Sequence, residues 1–264
     1  MTAHGTATRD RVSVVMPAFN AAATLGRAMR SVLAQTHREL ELIVVDDAST
    51  DATARVIAEV AAGDRRVVAL RQERNAGVAA ARNAGLAAAS GAYVAFLDSD
   101  DWWHPMKLQV QLAWMRNSGS RASYTSYSRV DEDGRQLSVV QPPPEVGHAD
   151  MLRSNRIGNL TGLYDRRLGD PVFQRVGHED YVFWLQVVRA AGRATLAAHS
   201  EPLAYYQVRR GSLSADKWRA ARWQWRIYRD NEGLGWLPAS WYFLNYAALA
   251  LAKRHAGAGR SAGQ

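Results

Sequence analysis

The chain has 264 residues, 47% hydrophobic and 22% charged, enough for one large domain or two small ones with a real core. It has no cysteine, which excludes disulfides and thiolate metal sites and fits a reducing compartment. The formal charge of +8 is uneven: residues 201–264 hold ten basic and four acidic residues, while residues 1–200 carry only +2. A basic tail points to anionic lipid, phosphate or nucleic acid as a neighbour, or simply to a solvated helical face.

The polar start MTAHGTATRD lacks an apolar h-region and predicts no secretory leader, with residues 1–10 a flexible terminus. From there strand and helix alternate. VSVVMP (12–17) reads as a buried strand, and 23–35 as a helix with Leu25, Ala28, Met29, Val32 and Leu33 on one stripe. Residues 40–45 read as a second strand and 53–62 as a second helix, capped by Ser49 or Asp51. RVVAL (66–70) is a third strand, and 78–90 an alanine-rich helix able to lie close to a sheet, ended by Gly91. AYVAFL (92–97) is the fourth strand. This rhythm predicts right-handed crossovers and a parallel sheet, with ligands beyond the carboxyl ends of the strands.

After residue 105 the rhythm changes. A helix is expected at 106–118, then a hairpin from 121–130 to 135–140 turning at Asp133-Gly134, and then a loop, QPPPEVG. A strand within LTGLYDRR, a helix at 179–192 with two acids in its first turn, and strands in ATLAAH and LAYYQV complete one continuous domain with a mixed second half. From 215 onward, Lys217, Arg219, Arg222, Arg226 and Arg229 interleave with Trp218, Trp223 and Trp225. The apolar run 236–252 is broken by Pro238, Ser240 and Asn245, short of the ~20 apolar residues a spanning helix needs. Tryptophan beside basic residues favours a membrane interface over 215–254; the alternative is a helical pair packed on the domain.

Three clusters carry chemistry. FLDSDDWWHP (96–105) places Asp98, Asp100 and Asp101 around Ser99 directly after a buried strand. Oxygen ligands on a rigid strand end suit Mg²⁺ or Mn²⁺, held by one or two carboxylates plus substrate phosphates. In the second, Asp46-Asp47-Ala48-Ser49-Thr50-Asp51, Ser49 or Asp51 caps the helix while Asp46 and Asp47 point at the crevice. In the third, His178-Glu179-Asp180, the helix dipole lowers carboxylate pKa values; Glu179 reads as a helix-end acid and Asp180 as a general base. His178 reads as structural or exposed. NAGVAAARNAG lacks the GxGxxG spacing, so a dinucleotide fingerprint fails.

Over residues 11–210 the blocks VSVVMPAFN…VVDDASTDAT, NAGVAAARNAG…FLDSDDWWHPMKL and GHEDYVFWLQ together resemble a family 2 glycosyltransferase. The tail resembles bacterial members that build cell-envelope polysaccharides. The resemblance implies an α/β GT-A fold with a mixed central sheet, a nucleotide half (11–105), an acceptor half (106–210) and a basic, aromatic helical extension (211–264). It also implies inverting transfer from a nucleotide-sugar, a UDP-sugar by family weight, to a glycan or lipid-linked glycan acceptor at the inner face of the cytoplasmic membrane. No nucleic acid partner is expected. By matching position, Pro17, Ala18 and Phe19 border the nucleotide, Asp47 contacts the uracil with Asp46 beside it, and Asp98, with Ser99, faces ribose or donor sugar. Asp100 binds the metal and Asp180 is the base. Arg82 supports a phosphate or only the packing of its helix. One departure stands out: Arg209 occupies a position where many relatives carry a histidine, and an arginine pairs with phosphate but cannot ligate a cation. A nucleotidyltransferase is the competing enzyme class, and a non-catalytic lipid- or nucleic-acid-binding module the competing non-enzyme.

Overall fold

The computed structural model describes residues 10–169, 171–208 and 217–258, with side chains for all of these except 217–219 and 249–258. In chain order the first half runs β1 (Val12–Ala18), α1 (Leu25–Leu33), β2 (Leu40–Asp46), α2 (Thr53–Gly63), β3 (Val67–Arg71), α3 (Val78–Ala88), β4 (Tyr93–Phe96) and β5 (Trp102–Trp103). The second half runs α4 (Lys107–Ser118), β6 (Ala122–Tyr124), β7 (Tyr127–Val130), β8 (Gln136–Val140), β9 (Glu145–Gly147) and α5 (His148–Arg153). It continues with β10 (Leu163–Asp165), α6 (Glu179–Ala191), β11 (Arg193–Leu196) and β12 (Ala204–Gln207). The extension is α7 (Lys217–Arg226), a π-helical turn Ile227–Asn231, and α8 (Trp236–Ala258).

The main sheet has the order β3-β2-β1-β4-β10-β6-β11-β9. Its first four strands are parallel, as the alternating rhythm dictates, and β10 then enters antiparallel to β4. Side chains alternate across β1 and divide the core. Val12, Val14 and Met16 pack with α1, α2 and α4, while Val15 packs on the opposite face with α3 and α6. Alanine and glycine let α3 lie tight on the sheet: a Cβ on Gly85 would sit 2.4 Å from a Val15 methyl. A second sheet, β5-β12-β7-β8, stands beside the main one.

Several sequence expectations are corrected here. The first arm of the expected hairpin is two strands, because β6 joins the main sheet and only β7 pairs with β8. Part of QPPPEVG is not loop: Glu145–Gly147 is an edge strand against β11. Gly91 does not end α3, which stops at Ala88. Its bare Cα instead admits the backbone of β1, where a Cβ would come within 2.7 Å of Arg11 O and Ser13 N. The extension packs on the domain and also keeps an apolar stripe outside. Ile227, Tyr228 and Ala239 are buried in the core, whereas Trp236, Leu237, Trp241 and Leu244 stay 62–87% exposed. Among the described residues no helix is long and apolar enough to cross a membrane.

Candidate active site

Register places the first half of the site. Ala18 of β1 pairs with Asp46 of β2, which pairs with Arg71 of β3, so three strand ends share one rim. Leu97 N donates to Val15 O at 3.1 Å, which delivers Asp98 to the same level. The two following turns lace together: Asn20 N donates to Ser49 Oγ at 3.0 Å and Thr50 N to Asn20 Oδ1 at 2.9 Å. Asn20 and Ala48 hold positive φ of 47° and 57° to make these reversals; for Ala48 that conformation costs about 1–2 kcal/mol.

The paired aspartates at 46–47 divide. Asp47 accepts from Ala76 N at 2.7 Å and Gly77 N at 2.8 Å, and lines a hollow of about 230 Å³. Asp46 does not point at the crevice as expected. It is buried and accepts from Ser49 N at 2.9 Å, and its second oxygen faces Arg71 Nη1 at 3.6 Å. The cap of α2 also differs: Ala52 is the N-cap, and Asp51 from one position earlier accepts from Thr53 N at 2.9 Å. Ser49 is spent on Asn20.

Pro17, Ala18, Phe19, Asp47, Arg82, Asp98, Ser99 and Asp100 all line this hollow. Arg82, 6% exposed, donates through Nη2 to Asp98 Oδ1 at 2.7 Å and lies over the Phe173 ring at 5.1 Å. Burial pushes its pKa down, but Asp98, Asp180 and Glu179 more than offset this and the net direction is up. Asp101 turns away from solvent and accepts from Gln207 N at 2.9 Å. Desolvation, with Asp98 and Asp100 beside it, lifts its pKa well above the usual carboxylate range. Arg27 lies beside these acids: it donates to the main-chain Asp100 O at 3.2 Å, bonds the Gln207 side chain and stacks 3.7 Å over Trp102.

A second hollow, of about 260 Å³, adjoins the first, and Asp98 lines both. Asp180 lines this second one, with Tyr127, Arg129, Asn159 and Tyr206. The helix-dipole account, favoured for Glu179, does not describe the pKa of Asp180, the residue read as a general base. Desolvation raises it, and Arg82 and the Tyr181 N–H only partly counter that. His178 is half-buried, its ring edge-on to Trp223 at 5.4 Å. Arg209 lies outside the described residues.

Sequence reasoning missed Arg27 and the wall of the second hollow. Arg27 carried a usable signal, since the first turn of a helix after a parallel strand borders the ligand rim. Tyr206 and Arg129 carried none, because they meet only through the β12–β7 register.

The family model for glycosyl transferase family 2 matches residues 13–170. The chain belongs to that family. This transferase is 37% identical over 246 residues to a Bacillus subtilis protein named as a teichuronic acid biosynthesis glycosyltransferase, TuaG, covering 92% of this chain and 97% of that one. It is 33% identical over 246 residues to an Escherichia coli UDP-Glc:alpha-D-GlcNAc-diphosphoundecaprenol beta-1,3-glucosyltransferase, WfgD, covering 93% and 95%. Staphylococcus aureus TarS 1–349, solved in complex with UDP-GlcNAc, superposes with a TM-score of 0.69 at 22% identity, covering 90% of this chain and 71% of that one. The transferase therefore has the GT-A fold, as the resemblance implied.

Proposed function

We propose that this family 2 enzyme is an inverting, cation-assisted transferase that moves a sugar from UDP to a lipid-linked glycan in envelope or exopolysaccharide assembly. The observation that carries the reading is the position of Asp98, which lines both hollows and so joins the 17–19, Asp47 and Asp100 rim to Asp180. The printed name of WfgD, with its UDP-glucose donor and diphosphoundecaprenol acceptor, supports the substrate classes.

In this reading Pro17, Ala18 and Phe19 flank the nucleotide and Asp47 receives the base. Asp98, with Ser99, meets ribose or donor sugar, and Arg82 orients Asp98 and faces the phosphates. Among the described residues no three of His, Cys, Asp and Glu gather into a metal cage. Asp98 and Asp100 form an all-oxygen set in one hollow, which fits Mg²⁺ or Mn²⁺ held by one or two carboxylates and completed by the diphosphate. When bound, the ion neutralises negative charge on the departing nucleoside diphosphate. Asp180 takes the proton from the acceptor hydroxyl as that oxygen attacks the anomeric carbon from the face opposite the leaving group.

The exposed stripe Leu237, Trp241 and Leu244, with Trp236 beside it under the Arg229 guanidinium at 4.6 Å, suits contact with an anionic bilayer surface. The enzyme then works peripherally at the inner face of the cytoplasmic membrane.

The test is a screen of purified protein with Mn²⁺ or Mg²⁺ against a panel of nucleotide-sugars and GlcNAc-diphospholipid, measuring released nucleoside diphosphate. Release with a UDP-sugar that needs both cation and acceptor is expected. Release from no nucleotide-sugar, together with no nucleotide-induced rise in Tm, overturns the reading.

A further inference from the structure

A third hollow, of about 900 Å³, is larger than both of those described above. It lies between the start of α3, the 174–177 stretch, and α7 with its π-helical turn. Val78 lines it and also the donor hollow, and Glu179, the chain neighbour of Asp180, is part of its wall. Its volume falls in the ~300–1,000 Å³ range of small-molecule sites, room for more than one sugar ring.

The walls specify a kind of ligand. Trp223 contributes an aromatic wall, and Gly177 is what lets the indole in: with φ of +89°, a Cβ there would sit 2.2 Å from the ring. Gln174 and Asn231 present two side-chain amides that bond to one another. The charged groups balance. Arg226 and Asp230 form a pair at 3.8 Å, and Arg175 stands with Glu179 as a second cation and anion. A phosphate or a cation would meet as much repulsion as attraction in such a groove. A neutral hydroxyl satisfies both signs, because it donates and accepts at once, and an aromatic wall suits the apolar CH face of a pyranose.

Apart from residues 76–79, the groove is also built from outside the shared family region. The family model covers residues 13–170, whereas the 174–177 stretch, Trp223, Arg226, Asp230 and Asn231 all follow it. We propose that this groove is a subsite for neutral sugar residues of the acceptor glycan that flank the residue being extended. The proposal rests on the glycosyl-transfer reading above, and assigns acceptor selection to the 174–179 stretch and the extension more than to the 13–170 region.

The experiment applies full-length protein, with UDP and Mn²⁺ present, to an immobilised panel of neutral oligosaccharides of two to four hexose or N-acetylhexosamine units. The wild type is expected to retain members of the panel. The Gln174→Ala/Asn231→Ala double variant is expected to weaken that retention tenfold or more, with the UDP-induced rise in Tm unchanged. Arg175→Ala provides a second variant, since its exposed side chain makes no ion pair among the described residues and its loss does not threaten folding. It too is expected to weaken retention while leaving the UDP response alone. A wild type that retains no panel member, or retention as strong in both folded variants as in the wild type, overturns the subsite. A UDP response lost along with retention in the variants also overturns it, because the groove then serves the donor. A wild type with no Tm response to any nucleoside diphosphate removes the transferase reading, and the subsite falls with it.

Discussion

The two halves of the site are built by different means. Around the nucleotide rim three acids are tied down by chain of the same half, Asp46 by Ser49, Asp51 by Thr53 and Asp47 by the 76–77 backbone one strand along, while Asp101 leans on the distant Gln207 N. Around Asp180 the wall comes from partners far apart in sequence, with Tyr206 set opposite Arg129 by a parallel pairing in the second sheet. A parallel βαβ sheet delivers its loops to one edge as a by-product of folding, so a rim of ligand groups needs only local turns. A mixed half must close long loops first, so its geometry depends on packing.

Predictions that break or sharpen this contrast begin with Asp180→Asn. Transfer is expected to fall about 10²–10⁴-fold while the UDP-induced rise in Tm persists, measured by product formation and thermal melts. Transfer close to wild type would place the base elsewhere. The wild-type pH profile follows the same group. Burial raises the Asp180 pKa, so a protonated, inactive fraction persists to higher pH than for an ordinary carboxylate near ~3.9. The rate is therefore lost as pH falls through that raised value, and the Asn variant should lack this limb.

Arg82→Met tests the join between the halves. It strips Asp98 of its charged partner and removes the cation that holds the Asp180 pKa down. A loss of about 1.5–3 kcal/mol in urea unfolding is expected. The acidic limb of the rate should move to higher pH, and an unmoved limb would separate Arg82 from the base. Next comes packing in each half. Gly162→Ala puts a Cβ 2.0 Å from the buried Trp184 ring, and Gly85→Ala puts one 2.4 Å from a Val15 methyl. Both should cost on the order of 1–3 kcal/mol, Gly162 the more because an indole cannot yield as a methyl can. Equal or reversed costs, read from denaturant midpoints, would deny the mixed half its tighter packing. The smallest effect on stability belongs to the triple change Leu237→Ser, Trp241→Ser and Leu244→Ser. Stability should stay within ~0.5 kcal/mol, since these side chains touch mostly water. Sedimentation with anionic vesicles should nevertheless be abolished, and undiminished sedimentation would assign the stripe another purpose.

Much of the nucleotide half was legible because its signals are local. Hydrophobic runs, alanine and glycine in α3, and acids straight after β2 and β4 sit within a few residues of what they determine. Even there, which of two adjacent aspartates faces the cleft depended on the 76–77 backbone, and Asp46 was misjudged for that reason. The 121–130 segment read as one hairpin arm because its pattern is continuous, yet the chain changes sheet between Tyr124 and Tyr127. Asp180 was singled out as a base by its place at a helix start, but the direction of its pKa shift could not be read there. The burial that raises it comes from the packing of other elements and leaves no mark on the local sequence.

The bond from Gln207 N to Asp101 Oδ1 spans 106 positions, and it has a consequence for synthesis. The first four strands lie early in the chain and β12 near the end of the described domain, and a domain generally folds as one unit. The loop carrying the three acids is held to the first half by Arg82 on Asp98 and Arg27 on Asp100 O, but Asp101 gains its partner only when β12 arrives. The Asp101 end of that loop is therefore finished only once nearly the whole polypeptide is available to pair.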